Sequence, residues 1–121
     1  MSDAETVPPP GAITVAPEAL LTMAKLSALG VPGVADISPI PGGVNRWFTP
    51  SRAADGVRIE VKDATVAVDL YLVLNPDTNF REVGRAVQAE VARAIHEMVG
   101  MDVRCVNIYI EDVALLNRPT P

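Results

Sequence analysis

Few side chains in this sequence of 121 residues are of the types that carry out catalysis. Ser51, Asp69 and Cys105 are potential nucleophiles, but a nucleophile needs a neighbouring base and that base needs a group to orient it. The sequence places no such group beside any of them, and the single histidine, His96, falls on the outer face of a predicted helix. We therefore expect no catalytic residues and no enzyme activity.

Metal ligands are equally scarce. One histidine, one cysteine and scattered carboxylates give neither the ligand set of a zinc site nor the spacing of a calcium loop. The single cysteine also excludes an internal disulfide. We expect no bound metal and no cofactor.

Recognition is the chemistry for which the sequence does provide suitable side chains. The only tryptophan, Trp47, adjoins Phe48 and lies between Arg46 and Arg52 in a segment rich in proline and glycine. Arginine and tryptophan dominate the residues that contribute most to protein interfaces, and the same pair occurs at membrane interfaces. These four residues are a candidate interaction site. The structural alternative is that Trp47 covers the open end of a sheet.

Residues 30–33 read Gly-Val-Pro-Gly, which has the G-x-x-G form of a KH-type RNA-binding loop. The chain has a net charge of −5, whereas proteins that bind nucleic acid normally present a basic patch. We therefore expect these residues to end a helix and form a turn, and we expect no nucleic-acid partner. A small RNA-associated, KH-like module is the alternative function.

Hydropathy bears on where the protein acts. The acidic, proline-rich residues 1–11 lack the apolar segment of a signal peptide, and no apolar run reaches the length of a membrane span. We expect a cytoplasmic protein that does not insert directly into a membrane.

The pattern of residues 57–74 predicts a β-hairpin. Apolar and polar residues alternate on both sides of Asp63-Ala64, which we interpret as a two-residue turn. That turn fixes the register and places opposite charges, Arg58 and Asp69, across from each other. The apolar pairs are Val57 with Leu70, Ile59 with Val68, and Val61 with Val66.

Two helices are predicted, and the first is unusually apolar. The second has Asn79 as its N-cap with Glu82 three residues later, and it ends at Gly100. The first spans residues 17–29, and Met23 and Leu26 lie outside its inward-facing stripe. A helix that is apolar most of the way round is normally covered on two sides. Met23 and Leu26 are therefore candidate interaction residues, with packing against the second helix as the alternative.

Together these elements predict an α+β fold in a single two-layer domain, with a small mixed sheet and two helices on one face. The expected order is β-α-β-β-β-α-β, with the remaining strands near residues 12–15, 33–38 and 103–113 and a long loop over residues 39–56. Residues 12–113 form the domain. Residues 1–11 are expected to be a flexible arm and residues 114–121 a C-terminal tail.

Several segments, in this order, resemble the alkaline-shock, envelope-stress-response family of small bacterial proteins. They are Gly-Val-Pro-Gly-Val at 30–34, Gly-Val-Arg-Ile-Glu-Val-Lys-Asp at 56–63, Val-Asp-Leu-Tyr-Leu-Val-Leu at 68–74, and the helix positions Val87, Gln88, Val91, Ala94, Ile95, Met98 and Gly100. The strand Met-Asp-Val-Arg-Cys-Val-Asn-Ile-Tyr-Ile-Glu-Asp-Val at 101–113 completes the match, which covers residues 12–113. The sequence departs from the family pattern at Asp63-Ala64, where Asp-Gly is expected, and in the proline-rich loop of residues 36–55.

The resemblance implies a role in cell-envelope stress or homeostasis, with no catalytic residues to carry over. It also implies that some members are held at the membrane through partners. We therefore expect a non-enzymatic scaffold or adaptor that forms a homo-oligomer and binds a membrane-associated protein. Such a protein is cytoplasmic and peripheral at the inner face of the membrane through that partner.

Overall fold

A β-hairpin forms the centre of the sheet. The computed structural model describes residues 11–38, 51–54 and 56–114, with backbone alone for residues 51–54. Its elements are α1 (Pro17–Leu29), β1 (Val34–Ile37), β2 (Ser51–Ala54), β3 (Val57–Lys62), β4 (Thr65–Leu74), α2 (Phe80–Val99) and β5 (Asp102–Val113). The α+β class, with a mixed sheet and two helices on one face, is confirmed.

The hairpin of β3 and β4 has the predicted register. Ile59 lies opposite Val68 and Arg58 lies opposite Asp69, and the other predicted pairs are also present. Asp63 and Ala64 form the turn with positive φ angles of 51° and 68°. Such angles give the turn a twist that matches the right-handed twist of the flanking strands.

β4 is the central strand, and its two edges are occupied differently. β5 runs parallel to it from Thr65 to Leu74, whereas β3 pairs antiparallel with its first part and β1 with its last three residues. Because β5 takes one edge along its whole length, β1 and β3 must lie end to end along the other. β2 pairs with the outer edge of β3.

The junction between β1 and β3 is tightly packed. The Ser38 amide donates to the Tyr71 carbonyl at 2.7 Å, and the Tyr71 amide donates to the Gly56 carbonyl at 2.9 Å. Gly56 has a φ of 81°, and a Cβ there would lie 2.0 Å from the Ser38 carbonyl oxygen. β1 ends at Ile37 and β3 begins at Val57 along the same edge of β4, and only glycine fits at position 56 beside Ser38.

Both helices begin and end where the sequence predicts. In α2 the Asn79 side chain accepts a hydrogen bond from the Glu82 amide at 3.0 Å, and Gly100 ends the helix with a φ of 81°. α1 ends at Leu29 before Gly30 and has no side-chain N-cap, although Pro17 occupies its first turn. α1 packs over β1, β2 and β3, α2 packs over β5, and the helices contact each other.

The core lies between the helices and the sheet and is entirely apolar among the described residues. Leu20, Leu21, Ala24 and Ala28 of α1 and Val83, Val87, Val91, Ala94 and Ile95 of α2 are buried, as their spacing predicts. Phe80 and Met98 fall on the same stripe of α2 by their spacing in the sequence, but they are exposed. They lie in the first and last turns of the helix, beyond the main contact with the sheet.

Two strand predictions are corrected. Residues 12–15 form no strand, and Ile13 is largely exposed because no strand of the described part pairs with this segment. The loop expected over residues 39–56 contains β2 near its end. Ser-Arg-Ala-Ala has no apolar alternation, so this strand is specified by pairing with β3 rather than by its own sequence.

Candidate interaction surfaces

The most prominent exposed apolar side chain of α1 is Leu26, which is 62% exposed. It borders a groove of about 430 Å³ between the end of α1 and the first half of α2. The groove is lined by Leu26, Ser27, Val31, Pro32, Ala86 and Glu90, which together we name the Leu26 surface. α1 must stop here because Pro32 has no amide hydrogen to continue the helix, and that stop leaves the groove open.

The two candidate residues of α1 have different environments. Met23 is half-buried and packs against the core cluster, whereas Leu26 points away from it. Packing within the domain therefore accounts for Met23, and Leu26 is the one of the two that remains exposed.

Residues 30–33 form the helix end and turn that the sequence predicts. Val31 is buried in the core, and the Gly33 carbonyl accepts a hydrogen bond from the Asn75 amide at 2.9 Å. A Cβ at Gly33, whose φ is 103°, would lie 2.6 Å from a methyl group of Val83. Both the glycine and the buried valine therefore have packing roles in this turn.

Most of the aromatic candidate site lies outside the described residues. This holds for Arg46, Trp47 and Phe48, while Arg52 belongs to β2 by its backbone and its side chain is not described. The choice between an interaction site and packing of Trp47 against the sheet therefore stays a prediction from sequence.

The face of the sheet opposite the helices carries a polar network that the sequence indicates only in part. Arg58 Nε donates to Asp69 Oδ2 at 3.3 Å, its Nη2 donates to the Tyr71 hydroxyl at 3.3 Å, and Asn107 Nδ2 donates to Asp69 Oδ1 at 2.9 Å. The rings of Tyr71 and Tyr109 stack with centroids 4.8 Å apart. The register of the hairpin predicts the Arg58–Asp69 pair, but the tyrosine stack and the Asn107 contact depend on the register between β4 and β5.

In this network Asp69 accepts hydrogen bonds from both Arg58 and Asn107, so its charge is paired. The pKa of the Tyr109 phenol is raised, because burial disfavours the phenolate and the negative charge of Asp69 adds to that effect. Its hydroxyl is therefore neutral at physiological pH. An open cleft of about 310 Å³ lies beside the network, among Arg58, Asp69, Arg104 and Asn107.

Of the candidate nucleophiles, Asp69 and Cys105 line the same open cleft, where Asn107 Nδ2 contacts both side chains. The side chain of Ser51 is not described. His96 is exposed, as predicted, with Nδ1 3.7 Å from Asp102 Oδ1. Cys105 is also exposed, and its Sγ lies 3.8 Å from Asn107 Nδ2. Within residues 11–38 and 56–114, no three His, Cys, Asp or Glu side chains cluster as metal ligands would. No helix in that part of the chain is long and apolar enough to cross a membrane.

Comparison with known proteins identifies relatives across most of the chain. The chain is 26% identical over 94 residues to the uncharacterized protein YloU of Bacillus subtilis (strain 168), covering 78% of each chain. It is 26% identical over 101 residues to the uncharacterized protein YqhY of the same organism, covering 83% of this chain and 75% of that one. It is 25% identical over 109 residues to the uncharacterized protein Spy1614 of Streptococcus pyogenes serotype M6, covering 88% and 90%. No solved structure gives a significant match.

The family assignment rests on a match that spans the whole described fold. The sequence profile of the ASP23 family, described as having a cell envelope-related function, matches residues 6–115. The match includes α1, the central hairpin, α2 and β5, and it confirms the resemblance to the alkaline-shock family. The chain therefore belongs to the ASP23 family of proteins with a cell envelope-related function.

Proposed function

We propose that this protein is a non-enzymatic scaffold or adaptor for the cell envelope, which works through self-association and contacts with other proteins. The cell envelope-related function of its family supports the setting. The exposed Leu26 beside an open groove supports the mode of action. The proposed location is the cytoplasmic face of the membrane, reached through a protein partner.

Exposure of Leu26 is the single observation that carries the proposal. Fully burying a leucine side chain contributes roughly 1.5–3 kcal/mol, so an exposed one next to a groove forgoes stabilisation that a contact would supply. Leu26 lies on the rim of the groove, so the protruding side chain and the recess belong to one patch. A two-fold contact requires such a self-complementary patch, and we propose a second copy of the chain as its occupant.

The test is Leu26→Glu, compared with Met98→Glu as a matched control. Met98 is 70% exposed, also on a helix, but it does not line the groove. Light scattering should show that wild type and Met98→Glu associate as concentration rises, while Leu26→Glu associates less at the same concentrations and keeps an unchanged melting curve. Equal association of all three proteins would contradict the role of Leu26.

The proposed membrane-associated partner is tested with the same pair of variants and with substitutions in the aromatic candidate site. Trp47→Ala combined with Phe48→Ser should reduce capture of a membrane-associated protein and leave the melting temperature unchanged. A large loss of stability with capture unchanged would show instead that Trp47 packs in the core, because truncating a buried tryptophan costs about 3–5 kcal/mol.

Binding of nucleic acid is not expected. The net charge of −5 and the burial of Val31 within the G-x-x-G turn both oppose an RNA clamp. A salt-dependent shift of labelled RNA by micromolar protein would favour the KH-like alternative instead.

A further inference from the structure

No described strand pairs with the outer edge of β5, where Gln88 Nε2 of α2 donates to the Val106 carbonyl at 3.0 Å. β5 has 12 residues and pairs with β4 along its other edge. Natural edge strands are normally protected by lysine, proline or inward-pointing charge. Residues 105–110, Cys-Val-Asn-Ile-Tyr-Ile, contain none of these. This edge therefore has the features of a pairing site.

Apolar side chains remain exposed along the same edge. Leu72 of β4 is fully buried, but Ile110 opposite it on β5 is 37% exposed. Tyr109 stacks on the buried Tyr71 and is itself partly exposed. A further strand beside β5 would cover both side chains.

The sequence of β5 selects one antiparallel pairing with itself. Side chains alternate between the two faces of a strand. The core-facing residues of both copies therefore lie on the same face only if the residue numbers of each opposed pair add to an even number. With Ile108 on the two-fold axis, Val106 faces Ile110 of the second copy and Val103 faces Val113, so that apolar residues of the core face meet. Arg104 then lies opposite Asp112, twice by symmetry.

Both neighbouring even registers are inferior. With Tyr109 on the axis, Val106 faces Asp112, an apolar residue opposite a charge. With Asn107 on the axis, Asp102 faces Asp112 and Arg104 faces Ile110. The ion pair of Arg104 with Asp112 is then lost, two aspartates repel each other, and a charged side chain lies opposite an apolar one. Arg104 already donates from Nε to Thr65 Oγ1, and its Nη2 lies 3.9 Å from Glu60 Oε1 of the same chain. A guanidinium has five N–H groups, so hydrogens remain for Asp112 of the second copy.

We propose that two copies of this chain pair antiparallel through β5 about Ile108, which joins their sheets into one with all helices on the same face. β-Bulges at Arg104 and Glu111 bound the regular part of the edge. The pairs of Val106 with Ile110 therefore form the regular ladder around Ile108, and Arg104 and Asp112 meet at its two ends. The contact is separate from the Leu26 surface, because α1 packs over β1, β2 and β3 whereas β5 lies beyond β4. The protein would then have two independent surfaces for its own copies.

The test is disulfide trapping in a Cys105→Ser background, since Cys105 is the only cysteine. Directly opposed residues in an antiparallel pair have Cα atoms about 4.5–5.5 Å apart, within the disulfide range. Under mild oxidation, purified Ile108→Cys should form a covalent dimer. Val106→Cys, on the same face, should remain monomeric, because the two copies of residue 106 are offset by four residues, or about 13 Å.

A measurement on wild type covers the case in which a cysteine variant misfolds. In wild type, amide hydrogen exchange within residues 105–110 should slow as the protein concentration rises. In the Leu26→Glu variant, exchange within α1 should not change with concentration. The Ile108→Cys cross-link should also persist when Leu26→Glu is added. Equal cross-linking of both cysteine variants, absence of any cross-link in folded protein, or exchange independent of concentration would overturn the β5 pairing and leave the Leu26 contact standing.

Discussion

The two edges of β4 differ in how completely the chain covers them. On one edge β3 and β1 abut, and Ile59 of β3 is only 1% exposed. On the other edge β5 follows the full length of β4, yet Ile110 remains 37% exposed. We propose that strands of similar composition serve two purposes, with β3 and β1 contributing stability to the domain and the outer edge of β5 providing a surface for association. Substitutions on the two sides should differ accordingly.

The largest effect is expected where β4 pairs with β3. Val68 is fully buried opposite Ile59, so Val68→Asp places a carboxylate among apolar groups with no partner. Burying an unpaired charge costs more than the few kcal/mol by which a small domain is stable. Circular dichroism should show an unfolded protein at 25 °C, and a cooperative melting curve like that of wild type would refute the assignment of this strand to the core.

Two glycine substitutions separate close packing from helix propensity. Gly56→Ala places a Cβ against the Ser38 carbonyl at positive φ and should destabilise the domain by about 2–5 kcal/mol. Gly84→Ala is the control, since nothing lies within 4 Å of a Cβ there in the middle of α2. It should stabilise by roughly 0.5–1 kcal/mol. Urea unfolding of both variants measures the difference, and similar free energies would argue against the tight junction of β1 and β3.

A matched pair of isoleucines compares the two edges directly. Ile59→Ala should cost about 2–5 kcal/mol, because it leaves a cavity in the core. Ile110→Ala, the same change at a partly exposed site, should cost about 1 kcal/mol or less in a dilute sample. Denaturant titration at low protein concentration provides both values. Equal losses would mean that β5 is as covered as β3.

The smallest expected effect is a gain at the hairpin turn. Ala64 has a φ of 68°, a conformation that costs a non-glycine residue energy, and family members are expected to have glycine there. Glycine removes the cost of the positive φ but has more conformational freedom in the unfolded chain, which opposes the gain. The net effect of Ala64→Gly should be a rise in stability of roughly 0.5–1 kcal/mol. Thermal melting would show a higher midpoint, and a lower one would mean that the turn is not strained.

The sequence predicted the elements whose rules are local. The register of the hairpin follows from alternation and turn length, and the bounds of α2 follow from Asn79 and Gly100. What it did not predict depends on contacts between distant segments. β2 exists because β3 offers an edge, and the stack of Tyr71 on Tyr109 requires the bulged parallel register of β5. The sequence placed both Met23 and Leu26 outside the inward stripe of α1, with a partner or the second helix as the alternative covers. That Met23 is half-buried and Leu26 exposed depends on how α1 packs in the domain.

The central claim is that the protein acts through contacts between its own copies. Sedimentation velocity of wild type over a range of concentrations tests this most directly, because it requires neither a known partner nor a variant. The account predicts a weight-average mass that rises from monomer to dimer and larger species with concentration. A single monomeric species at every concentration, including the highest, would contradict it.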